Sequence, residues 1–179
     1  MTTYHPDTRF ITDFAAGSLP LSQALCVSAH LHYCDDCKQK VEQLTDLGSV
    51  LFDKISPMNL EQDFSSLMQR IDSMPENNAQ FNSEVITAST KSSPLPAALN
   101  KLTNNDLDSL NWQGTGKNFR YSELNTGDSI RETSLINIKA GGNVPRHLHK
   151  GDEITVVLKG SFSDKDDHYQ VGDFIVRSS

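Results

Sequence analysis

Long apolar runs are missing from this chain: no stretch of about eighteen apolar residues occurs, so a membrane-spanning helix is not expected. The opening Met1-Thr2-Thr3-Tyr4-His5-Pro6 lacks the basic and apolar regions of a secretion signal, and a cytoplasmic protein is expected. Cysteine is scarce as well. The three thiols, Cys26, Cys34 and Cys37, argue against a disulfide framework and agree with a reducing compartment. Positive charge is short: 16 Lys and Arg face 23 Asp and Glu, for a net charge of −7. Residues 1–75 alone carry five basic against ten acidic side chains. Such a surface repels phosphate backbones, which argues against direct nucleic-acid binding and favours a basic protein surface as partner.

Among what is present, His30-Leu31-His32-Tyr33-Cys34-Asp35-Asp36-Cys37 is the most specific stretch. Residues three and four apart share a helical face, so His30, Cys34 and Cys37 can converge on one point. One imidazole and two thiolates suit tetrahedral Zn²⁺. A fourth ligand is then needed, and two residues compete for it. His5 lies before the first predicted helix, where the chain can fold back over the site, while Cys26 precedes His30 by four residues but reads as a small core residue. A redox Cys-x-x-Cys is disfavoured because no strand-to-helix context of the thioredoxin type surrounds it.

Around this motif the pattern is helical. Asp7 is expected to cap a helix with Phe10, Ile11 and Phe14 on its apolar face, ended by Gly17. Ser18 and Pro20 open a second helix through Leu21, Leu25 and Ala29 to His30. A turn near Tyr33 leads into a third helix with Asp35 or Asp36 at its N-terminus and Val41, Leu44, Leu47, Val50 and Leu51 along one side. Pro57 interrupts the pattern. Leu60, Phe64, Leu67, Met68 and Ile71 then form an amphipathic segment that packs on the small bundle or is left over for a partner protein. Residues 74–93, rich in Ser, Asn, Thr and Pro, read as a flexible linker between a helical domain over 1–73 and a second domain over 94–179.

In that second domain the period changes to strands, expected over Phe119–Leu124, Ser129–Lys139, Glu153–Lys159 and Tyr169–Val176 with glycine turns between them. The fold class is therefore α+β, a helical bundle followed by an antiparallel barrel or sandwich. The chain stops at Ser178-Ser179 without a closing strand, so the barrel is expected to be truncated. Residues 141–160 contain Gly-x5-His-x-His-x3-Glu-x6-Gly. In a strand, His147 and His149 point to one side, and Glu153 follows a tight turn, so the three can hold a divalent metal whose identity ligand softness alone does not choose. His168 reads as surface-exposed.

The spacing in residues 141–160 resembles the first motif of the cupin family, a small antiparallel β-barrel, and Gly172-Asp173-Phe174-Ile175-Val176 is similar to the opening of the second. The family's fourth metal ligand is a histidine beyond the last residue here. Either the sequence is cut short or this domain supplies at most three ligands. A His-x3-Cys-x2-Cys helical domain joined to a cupin resembles the ChrR group of zinc-binding anti-sigma factors. The resemblance implies that His5, His30, Cys34 and Cys37 hold a structural zinc, and that His147, His149 and Glu153 hold a second zinc or other divalent ion. It implies sequestration of an extracytoplasmic-function-type sigma factor, released on oxidative stress from singlet oxygen or organic peroxide. The thiolates of Cys34 and Cys37 are an alternative oxidation sensor. Such a chain is a transcription regulator and not an enzyme; the competing interpretation is a metal-dependent cupin oxygenase or isomerase with a helical appendage, and a cupin ligand sensor with another protein partner is a third.

Overall fold

The computed structural model describes residues 2–56, 64–74, 95–114, 117–144 and 151–178. Helix α1 spans Thr8–Ala15, and the Asp7 carboxylate caps it by accepting the Phe10 N–H at 3.0 Å. Gly17 follows with φ +69°, a left-handed conformation that ends the helix at no steric cost. Helix α2 spans Leu21–Leu31. Its N-cap is Pro20, with no side-chain capping bond, so Ser18 does not take the expected role; its hydroxyl instead donates to the Asp13 carbonyl. Helix α3 runs Asp35–Phe52 with Asp35 and Asp36 in its first turn, favourable to the helix dipole. Helix α4 spans Phe64–Asp72 and α5 spans Ala97–Leu102.

The strands are β1 (Phe119–Glu123), β2 (Ser134–Ile138), β3 (Glu153–Val156), β4 (Ser161–Ser163), β5 (His168–Gln170) and β6 (Phe174–Arg177). They pair antiparallel as β1–β2, β3–β6 and β4–β5. Helix and strand content is mixed, as expected, but among the described residues the ladders remain three separate pairs and the anticipated barrel does not close. Strands of three to five residues allow only short ladders. Two expectations change in detail. The run Tyr169–Val176 is two strands, split at Gly172, whose φ of +92° breaks the extended backbone. The Ser129–Lys139 strand starts only at Ser134, because the Asp128 carboxylate accepts the N–H groups of Ile130 and Arg131 and holds a turn there.

Contacts divide the chain into one compact unit of residues 1–48 with 93–179 and a second unit of residues 49–92. In the first, α2 is apolar around most of its circumference and is buried on two sides. One side joins Ile11, Val27, Cys34, Cys37 and Phe174, with Phe10, Phe14, Val41 and Leu44 against them. The other joins Leu25, Ala29, Leu99 and Leu124, with Leu135, Val156 and Leu158. Helix α2 therefore carries His30 into a core made partly by β3 and β6. Farther along α3, Leu47 lies exposed at 55%. In the second unit Val50, Leu51 and Phe52 are exposed, and so are Phe64, Leu67, Met68 and Ile71 of α4. Leu60 and Pro57 lie outside the described residues, as does nearly all of the expected linker.

Candidate metal centre

His30, Cys34 and Cys37 do not share one continuous helix. Helix α2 ends at Leu31, the chain turns through His32 and Tyr33, and Cys34 stands just ahead of α3, its carbonyl accepting the Lys38 N–H at 3.1 Å. In this N-cap position the Cys34 Sγ accepts the Cys37 N–H at 3.5 Å. The positive end of α3 thus faces the Cys34 sulfur. His5 arrives from the extended amino-terminal segment, its Nδ1 lying 3.4 Å from Cys34 Sγ and 3.5 Å from Cys37 Sγ. The His5 ring meets His30 edge-on, with centroids 5.4 Å apart.

The four ligand atoms of His5, His30, Cys34 and Cys37 all lie within 4.8 Å of one another. Bond lengths of about 2.3 Å to sulfur and about 2.0 Å to nitrogen put tetrahedral sulfur and nitrogen ligands roughly 3.5 Å apart. The two distances from His5 Nδ1 to the sulfurs match that spacing. His30 adds an independent sign. It is fully buried, its Nδ1 pairs with the Gly172 carbonyl at 2.6 Å, and its Nε2 is buried with no hydrogen-bond partner among the described residues. A carbonyl on Nδ1 makes that nitrogen the proton carrier and leaves a lone pair on Nε2. Burial also lowers the His30 pKa and so favours the neutral, ligating imidazole, against the smaller opposing effect of the Gly172 carbonyl. The Cys37 thiol is pushed up to about 11, first by burial and then by its Cys34 neighbour. A bound cation reverses that bias, since it takes the thiolate directly. The donor set therefore fits a closed four-coordinate ion.

The rival fourth ligand, Cys26, is not in the cluster. It packs against the core beside Val27, and burial raises its pKa to about 11. Of the second constellation, His147 and His149 lie outside the described residues, while Glu153 opens β3 opposite Arg177. His168 is exposed, and its Nδ1 pairs with the Ser163 hydroxyl at 2.8 Å. Sequence reasoning missed Gly172 and Asp173 as neighbours of the metal centre. Both were visible only as a turn some 140 residues downstream of His30.

Fold and site together define a protein of mixed helix and strand content with a His2Cys2 cluster of metal-binding type at a helical corner. Residues 101–179 match the ChrR cupin-like domain family. The chain is 30% identical over 171 residues to the anti-sigma-E factor ChrR of Cereibacter sphaeroides, covering 95% of this chain and 76% of that one. It belongs to the ChrR family of anti-sigma factors. Its structure is similar to ChrR in the crystal structure of Rhodobacter sphaeroides SigE in complex with the anti-sigma ChrR, with TM-score 0.76, 27% identity and coverage of 99% of this chain and 88% of that one.

Proposed function

We propose that the protein is an anti-sigma factor that sequesters an extracytoplasmic-function-type sigma factor in the cytoplasm. The observation that carries this is likeness, over nearly the whole chain, to a ChrR captured in complex with SigE. Within the chain, the exposed apolar stripe of α4 supports it: Phe64, Leu67, Met68 and Ile71 recur at helical spacing and are 41% to 67% exposed. An amphipathic helix with that stripe uncovered suits burial against a partner. Residues 1–73 form the sigma-binding part, joined through 74–93 to the cupin-like part over 94–179. A zinc ion held by His5, His30, Cys34 and Cys37 would occupy four protein ligands, leave no open position and act as a structural cross-link. His147, His149 and Glu153 form a second metal site. Release follows oxidative change at one of the two centres, and a hundredfold loss of affinity needs only about 2.7 kcal/mol of differential binding. The reconstituted reaction tests the function: the full chain added to core RNA polymerase, sigma factor and promoter lowers transcription in proportion to the amount added. Undiminished transcription at excess chain would contradict it.

A further inference from the structure

His5 belongs to no helix, and two backbone anchors fix it. The Asp173 Oδ1 accepts the N–H groups of Thr3 at 2.7 Å and Tyr4 at 3.1 Å, and the Tyr4 carbonyl accepts the Phe174 N–H at 2.9 Å. The second carboxylate oxygen of Asp173 accepts the Gln170 N–H at 2.8 Å. Asp173 is fully buried, and among the described residues the donors to its carboxylate are these backbone N–H groups. One residue earlier, the Gly172 carbonyl orients His30. A single turn of the carboxy-terminal half, between β5 and β6, therefore touches the supports of both histidine ligands.

Gly172 is required there for two separate reasons. Its φ of +92° disfavours any side chain, and an added Cβ would stand 2.3 Å from Thr2 Cγ2 and 2.7 Å from Tyr33 Cβ. Tyr33 lies in the link between α2 and α3, beside Cys34. The turn is also held from behind, since the Gly172 N–H donates to Val157 and the Val157 N–H to the Asp173 carbonyl. A shift of β3 or β6 is thereby transmitted to the turn.

We propose that the Gln170–Phe174 turn is the outer shell of the metal centre, with Gly172 positioning His30 and Asp173 positioning His5, so that the cupin-like half sets how firmly the helical half holds its ion. This rests on the metal-site reading above. Partners of ligand histidines tune metal affinity by about ten- to a hundredfold. The coupling is reciprocal: an ion held more tightly when the turn is docked also favours docking. A disturbance in the carboxy-terminal half then loosens the metal staple without touching any ligand.

The test uses the full chain loaded with zinc and measures ion transfer to a chromophoric chelator. The cobalt-substituted protein is used to read the ligand field through its absorption bands. Gly172→Ala and Asp173→Ala release zinc at least about tenfold faster than the parent and shift the cobalt bands. Asp173→Asn lies between parent and Asp173→Ala, because its amide oxygen still accepts from Thr3 and Tyr4 while its NH2 opposes the Gln170 N–H. Gly17→Ala, a glycine at φ +69° with open space around its Cβ position, carries similar backbone strain and leaves both readouts at the parental value. If Gly172→Ala does not fold, the order among the Asp173 variants decides. Zinc bound one per chain in the parent, with parental release rates and bands in the Gly172 and Asp173 variants, overturns the outer shell alone. A parent that retains no zinc overturns the metal-site reading and the outer shell together.

Discussion

Cys34 combines a backbone role with the proposed ligand role. As N-cap of α3 its sulfur takes the Cys37 N–H, and the same sulfur faces His5. Replacing both cysteines, Cys34→Ser with Cys37→Ser, keeps size and capping ability but removes the soft ligands. Bound zinc measured by elemental analysis is expected to fall from one per chain at this centre to none, with loss of sigma-factor binding; full affinity in the double variant would show that the staple does not support the interface. A second residue-level device lies away from the metal. The Asp128 carboxylate takes the Ser22 hydroxyl at 2.7 Å, and that bond, followed by the Ile130 N–H, lowers its pKa to about 2. Because the folded value is depressed, its stabilisation is present above the usual carboxylate range and is lost as pH falls through about 2. Asp128→Asn is expected to lower the thermal midpoint at pH 7, and the gap from the parent is expected to narrow as the pH is taken from about 4 towards 2. An equal gap at both ends would show that the charge contributes nothing.

At the scale of elements, α2 is the load path, with one side against α1 and the cysteines and the other against α5 and the strands. Ile11 on α1 is nearly fully buried against it, and Ile11→Ala is expected to cost about 3 kcal/mol in denaturant unfolding. Helix α4 behaves oppositely, with no buried residue. Leu67→Glu is expected to leave the unfolding midpoint unchanged while weakening the sigma complex by about 2 kcal/mol, roughly thirtyfold. A variant that bound normally would show that this stripe does not carry the interface. These elements differ in how legible they were. Spacing located α1, α2 and α3 because capping residues and helical periodicity act within a few positions. The His-x3-Cys-x2-Cys cluster was legible for a related reason: at the expected turn near Tyr33, Cys34 as N-cap of α3 keeps all three side chains at one corner. Strand β4, three exposed residues reading Ser161-Phe162-Ser163, offers no alternation long enough to detect. The His30 contact with Gly172 spans 142 positions and leaves no local trace.

For the whole molecule the consequence is coupling. The amino-terminal 48 residues and the carboxy-terminal part from residue 93 form one compact unit, and the candidate metal centre lies where they meet, with Phe174 of β6 in the same core as Cys34 and Cys37. The His30 ring meets Phe174 in an edge contact with centroids 6.0 Å apart, and Phe10 meets Phe174 in another from the α1 side at 5.5 Å. Removal of the ion should therefore loosen both parts at once. Amide hydrogen exchange is expected to quicken at Tyr4 and Phe174 as well as at Cys37 on chelation; a change confined to residues 30–37 would separate the two halves energetically. The central claim is that a metal-stapled fold holds a sigma factor. Its most direct test is a calorimetric titration of the purified full chain, zinc-loaded and zinc-stripped, against the extracytoplasmic-function-type sigma factors of the same cell. The prediction is a one-to-one complex with one of them that weakens at least about a hundredfold on stripping, equivalent to about 2.7 kcal/mol. Equal affinity with and without the metal, or no complex with any of them from zinc-loaded protein, would contradict it.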